Sequence, residues 1–170
     1  MRTLYLVRHG VAQDQSSWAH PDELRPLTDF GWRQAVAIGE LLAQVGVGRF
    51  ISSPTIRCLD TLLPTAHRVG LGVAEDQALF ETNEPRDHNA SLELLKGLAA
   101  TCLGGEVERA AACTHGNVLL PLLAALGASN PGRCPKGGVW KLEFHPGKTR
   151  VEEVEYLGRL HPESGNWTSR

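Results

Sequence analysis

Short apolar runs alternate along this chain with stretches in which apolar residues recur every third or fourth position. Thr3 to Val7 is a short apolar run without polar alternation, which predicts a strand buried on both faces. Ile38, Leu41, Leu42 and Val45 recur at helical spacing. Thr28 supplies an N-cap for that helix and Gly46 a stop. Arg49 to Ser52 reads as a second strand. Ser53-Pro54 reads as an N-cap followed by proline at the first helical position. Leu59, Leu62, Leu63 and Ala66 give the next helix its apolar face, with Pro64 expected to bend or shorten it. Leu95, Leu98, Ala99 and Cys102 form a third helical face, Ala110 to Thr114 a small-residue strand. Leu119, Leu122, Leu123 and Leu126 form a fourth face that ends at Gly127. Val139 to Phe144 and Val151 to Tyr156 flank the turn-like His145-Pro146-Gly147-Lys148 and predict a hairpin.

This β-α-β-α order predicts a three-layer α/β/α sandwich. Its sheet is mostly parallel, with an antiparallel C-terminal edge hairpin. Asp14 to Pro26 and Asp76 to Asn89 are the longest irregular stretches, and loops of that length are often functional. The 170 residues suit one domain over 1–160, with 161–170 as a loosely ordered tail.

Charge and composition narrow the function. With 17 basic and 19 acidic residues the chain has no excess of positive charge, which argues against a nucleic acid polymer as partner. A small phosphorylated ligand needs only a few local cations. No apolar run is long enough for a bilayer span, and Arg8 and His9 interrupt the first one after four residues. No membrane partner and a cytoplasmic setting are therefore expected. Cys58, Cys102, Cys113 and Cys134 show neither pairing nor metal spacing, so they are read as buried thiols, and no metal or cofactor is expected.

Three segments that follow predicted strands carry the chemistry: Arg8-His9-Gly10, Ser52-Ser53-Pro54 with Arg57, and Thr114-His115-Gly116-Asn117. Ligands of open α/β sheets bind outside the carboxyl ends of the strands, so these segments should meet. Guanidinium forks match phosphoryl oxygens. A neutral imidazole can attack phosphorus, and a second histidine can offset the developing charge. Gly10 and Gly116 would let backbone amides approach the phosphate.

In this order the segments resemble the signature of the histidine phosphatase superfamily, which includes phosphoglycerate mutases and small SixA-type phosphohistidine phosphatases. Arg25-Pro26-Leu27-Thr28 with Gly31, Gln34 and Ala35 is similar to the family segment that opens the first helix. Thr61 belongs to the second arginine motif, and Lys136-Gly137-Gly138-Val139-Trp140 looks like the late segment of SixA-like domains. The resemblance implies that His9 is the nucleophile. Arg8, Arg57 and His115, with Gly10, Gly116 and Asn117, would surround the phosphate. It implies a general acid in Leu79-Phe80-Glu81, with Glu84 and Asp87 as rivals. Lys136 is either a substrate contact or a polar turn residue, and Trp18 and Trp32 are either packing residues or substrate platforms. The expected activity is metal-independent hydrolysis of phosphomonoesters or phosphohistidine, on a protein or a nucleotide. A mutase-type phosphotransferase and a noncatalytic phosphate-binding module are the alternatives.

Overall fold

The computed structural model describes residues 1–84, 86–128, 133–145 and 150–169. Strands β1 (Arg2–Arg8), β2 (Arg49–Ser52), β3 (Val73–Glu75) and β4 (Arg109–Thr114) are parallel. Strands β5 (Val139–Phe144), β6 (Val151–Leu160) and β7 (Trp167–Thr168) add antiparallel pairings, giving the order β3-β2-β4-β1-β5-β6-β7. Helices α1 (Asp29–Gln44), α2 (Ile56–Arg68), α3 (His88–Cys102) and α4 (Gly116–Ala125) connect them.

Alternate residues of β1 feed two cores. Leu4 and Leu6 pack with Leu95 and Leu98 of α3 and Leu119 and Leu122 of α4. Tyr5 and Val7 pack with Ile38 and Leu42 of α1 and Cys58 and Leu62 of α2. Helices therefore cover both faces, as expected for a three-layer sandwich. Each of these leucines contributes about 1.5–3 kcal/mol of burial, which anchors the strand ends that carry the polar residues.

The helix signals mostly match. Thr28 accepts a hydrogen bond from the Gly31 amide at 3.0 Å, and Gly46 (φ +70°) follows the end of α1. Four expectations need correction. Helix α2 starts at Ile56 with Thr55 as its N-cap residue, because the Ser53 hydroxyl is engaged by His115. Leu63 is half exposed, and the buried face of α2 includes the polar Arg57, Thr61 and Thr65 instead. Pro64 does not shorten the helix, which continues to Arg68; the N–H that proline lacks would have met Asp60, a residue only partly buried. The segment read as a loose tail supplies β7: Thr168 and Trp167 pair with Arg159 and Leu160, and Trp167 Nε1 donates to the Leu157 carbonyl at 2.8 Å. That pairing caps an edge of the hairpin. The turn residues Pro146, Gly147 and Lys148, and Arg170, lie outside the described residues. Among the described residues no helix is long and apolar enough to cross a membrane.

Candidate active site

The carboxyl ends of three adjacent strands coincide. Arg8 is in register with Thr114, and Ser52 with Cys113. The next residues stay tied to the sheet: the His9 amide donates to the Thr114 carbonyl at 3.1 Å, and the Ser53 amide to Cys113 at 2.9 Å. His9, Ser53 and His115 therefore emerge side by side, and the rings of His9 and His115 lie 5.4 Å apart at 64°.

His9 is buried, and its Nδ1 lies 2.8 Å from the Gly10 carbonyl. A carbonyl only accepts, so Nδ1 carries the proton and Nε2 keeps its lone pair. Burial depresses the imidazole well below its ordinary value. The Gly10 hydrogen bond opposes this, while the charges of His115, Arg57 and Arg8 add to it. The ring is thus neutral at neutral pH, as a nucleophile must be. Gly10 is itself fixed: its amide donates to Thr61 Oγ1 at 3.0 Å, and Thr61 donates to the Arg57 carbonyl at 2.6 Å. A side chain at position 10 would lie 2.9 Å from the Gly31 carbonyl of α1.

Arg57, in the first turn of α2, is almost completely buried, yet its fork faces two carboxylates. Nη1 donates to the Asp22 carbonyl at 2.7 Å. Nη2 donates to Asp22 Oδ2 at 2.9 Å and to Glu81 Oε2 at 2.8 Å. Asp22 also accepts from Arg25 Nε at 2.8 Å. Burial raises the Asp22 carboxyl, but the hydrogen bond from Arg25 and the charge of Arg57 outweigh it and hold the group below its ordinary value. Glu81 Oε2 lies 3.5 Å from His115 Nδ1, and His115 Nε2 shares a 2.8 Å hydrogen bond with Ser53 Oγ. The Asp22 and Glu81 side chains remain 36% and 41% exposed, so the two carboxylates stand between the buried Arg57 and solvent.

Arg8 is wrapped by the late loop. Its Nη1 donates to the Cys134 carbonyl, and the Gly137 amide donates back to the carbonyls of Arg8 and His9. Gly116 makes room for it, since a Cβ there would lie 2.8 Å from Arg8 Cζ. The Nε atoms of Arg8 and Arg57 are buried with no hydrogen-bond partner among the described residues. Helices α2 and α4 both begin here, and their first amides favour negative charge.

The structure brings together Arg8, His9, Arg57, Glu81 and His115. The Gly10 amide is engaged by Thr61, and Asn117 Nδ2 donates to the Thr82 carbonyl at 2.7 Å, fastening the Glu81 loop. The Glu84 carbonyl accepts from Thr82 Oγ1 at 2.9 Å, and Asp87 caps α3 through the Ala90 amide at 2.7 Å. Asp22 and Ser53 are the site residues that sequence reasoning missed. Asp22 sits in an irregular stretch with no periodic signal, and Ser53 carries a helix-cap signal that hides its contact with His115.

Residues 4–94, more than half of the chain, match the sequence profile of the histidine phosphatase superfamily, branch 1. The chain belongs to this superfamily. A curated relative, the 8-oxo-(d)GTP phosphatase of Mycolicibacterium smegmatis, is 28% identical over 153 residues, covering 86% of this chain and 46% of that protein. The chain thus spans about half the length of that relative. Among solved structures, phosphoserine phosphatase from Entamoeba histolytica superposes with a TM-score of 0.69 at 16% identity, covering 91% of this chain and 96% of the other. A mycobacterial glucosyl-3-phosphoglycerate phosphatase gives 0.67 at 22%, with coverages of 91% and 96%. A candidate phosphohistidine phosphatase SixA from Agrobacterium tumefaciens gives 0.66 at 18%, with coverages of 90% and 96%. Among the described residues no group of three His, Cys, Asp or Glu side chains is placed to hold a metal ion.

Proposed function

We propose that this histidine phosphatase hydrolyses phosphomonoesters or phosphohistidine without a divalent metal, through a phosphoryl group carried on His9 Nε2. The observation that carries this reading is the fixed tautomer of His9. Its Nδ1–H is committed to the Gly10 carbonyl, and its Nε2 has no hydrogen-bond partner among the described residues, with Arg8, Arg57 and His115 nearby. Nε2 attacks phosphorus and forms the N–P bond as the bond to the leaving group breaks. The electron pair goes to the leaving atom, which takes a proton from a carboxylic acid. Water then cleaves the N–P bond and releases phosphate.

Arg57 supports a division of labour between the two carboxylates. Both accept from the same Nη2, so a phosphoryl oxygen arriving there displaces one of them. Asp22 has a second anchor on Arg25; among the described residues Glu81 has none beyond His115 and Arg57. Glu81 is therefore the one released. As the carboxylic acid it then delivers the proton to the leaving atom and is the general acid. Asp22 stays and keeps Arg57 aimed.

The solvent-reached Asp22 and Glu81 leave the mouth of the pocket open, which suits a phosphate projecting from a larger partner such as a nucleotide or a phosphorylated protein. The test is release of inorganic phosphate from an aryl phosphate in the presence of a chelator. Turnover is expected without added metal. No turnover, or turnover only with a specific added metal, overturns the reading.

A further inference from the structure

Two hydrogen bonds tie the loop that carries Glu81 to the segment that carries His115. The buried Thr114 hydroxyl donates to the Leu79 carbonyl at 2.6 Å, and Asn117 Nδ2 donates to the Thr82 carbonyl at 2.7 Å. His115 lies between the two donors in sequence, and Glu81 between the two acceptors. The side chains inside this bracket meet. Glu81 Oε2 lies 3.5 Å from His115 Nδ1, and the Phe80 ring lies against the His115 ring with centroids 6.5 Å apart at 63°.

Little regular backbone holds Glu81 otherwise. The 3₁₀ turn Gln77–Leu79 ends before it, and α3 begins only at His88. An irregular, exposed segment opens locally at small cost unless its carbonyls are engaged from outside. Leu79 is fully buried in the core with Leu95 and Leu119, so the bond from Thr114 fixes an end of the segment that is already packed. Thr82 is exposed, and the bond from Asn117 holds that end to the first turn of α4. Neither bond involves Arg57. Both therefore persist when a phosphoryl oxygen takes Arg57 Nη2 from Glu81. The carboxyl then swings about a backbone that stays in place and remains within side-chain reach of His115.

We propose that Asn117 and Thr114 are positioning residues for the proton donor. They fix the Glu81 backbone to the His115 segment, so charge offset by His115 and proton delivery by Glu81 reach one phosphoryl group from a single frame. The proposal rests on the reading of Glu81 as general acid. The proton goes from the Glu81 carboxyl to the leaving oxygen as the P–O bond breaks, and Asn117 and Thr114 exchange no proton themselves. Their loss therefore shows only where the leaving group needs protonation.

Steady-state kinetics on O-phosphoserine, whose alkoxide leaves poorly, and p-nitrophenyl phosphate test it, with native chain, Asn117→Ala, Glu81→Gln and the double variant. Asn117→Ala should lower kcat on O-phosphoserine by about ten-fold or more, and several-fold less on p-nitrophenyl phosphate. In the Glu81→Gln background the same substitution should cost less than about two-fold on either substrate, because the residue it positions no longer donates a proton. Thr114→Val should repeat the split and Thr114→Ser, which keeps the hydroxyl, should abolish it. Asn117 is exposed, so the test stands on Asn117→Ala even if the buried Thr114→Val fails to fold. An equal loss on both substrates in Asn117→Ala would put Asn117 on the phosphate or in the fold and overturn the proposal, as would losses that multiply independently of Glu81→Gln. Failure of the general-acid reading is seen separately, as an equal loss on both substrates in Glu81→Gln alone, and overturns the proposal with it.

Discussion

Replacing Glu81 by glutamine separates its two roles in the proposed mechanism. The substitution keeps the length of the side chain, and the amide oxygen can still accept from Arg57 Nη2, where Glu81 Oε2 now lies at 2.8 Å. The amide cannot deliver a proton. General acid catalysis contributes about 10²–10⁴ in rate where the leaving group needs protonation. The Glu81–Arg57 ion pair is more than a third exposed on the Glu81 side, so its loss as a purely electrostatic contact costs only about 1 kcal/mol or less. These magnitudes differ enough to be resolved. For an alkyl phosphate, whose alkoxide is a poor leaving group, kcat should fall by about 10² or more. For p-nitrophenyl phosphate, which leaves as a stabilised anion, the fall should be about ten-fold or less. Steady-state kinetics on both substrates with native and Glu81→Gln protein is the assay. An equal loss on both would refute the assignment of Glu81 as proton donor and leave it as a support for Arg57 and His115.

Asp22→Asn should lower kcat/KM by about five- to ten-fold on every substrate, because one of its two arginine contacts becomes an N–H facing an N–H donor; steady-state kinetics that leave kcat/KM at the native value would remove Asp22 from the positioning of Arg57. His9 gives a pH signature in stability. Its folded value lies well below the ordinary 6.5, so below that pH the unfolded chain binds a proton that the folded chain refuses. The stability held above pH 6.5 should therefore be lost as pH falls toward the folded value, and denaturant unfolding of His9→Gln should show a shallower loss than the native chain between about pH 7 and 5.

Much of this site was legible because its residues are tied to strand ends. Arg8, His9 and His115 each follow a short apolar or small-residue run, and the parallel register of β1, β2 and β4 turns those three sequence positions into one place. Arg57 was legible through its motif, although its helix starts later than the serine-proline signal implied. Local cap preference lost there to a tertiary demand, the hydrogen bond between Ser53 and His115. Asp22 was illegible for a different reason. It reaches Arg57 across 35 residues from a short 3₁₀ turn, Asp22–Leu24, and no periodicity marks such a contact. The burial of the polar face of α2 was illegible in the same way: Thr61 was marked only by its motif and Thr65 not at all, and what buries them is Gly10 and the first helix packed against them. Strand β3 and the β7 pairing were missed because three and two residues are too few for a pattern.

The central claim is that His9 carries the phosphoryl group, and on one particular nitrogen. Rapid quench under alkaline conditions with labelled substrate, followed by phosphorus NMR of the denatured adduct and peptide mapping, tests it directly. The account predicts a base-stable, acid-labile phosphohistidine at position 9 with phosphorus on Nε2, because Nδ1 is committed to the Gly10 carbonyl. Phosphorus on Nδ1, label at another residue, or near-native turnover by His9→Ala would contradict it.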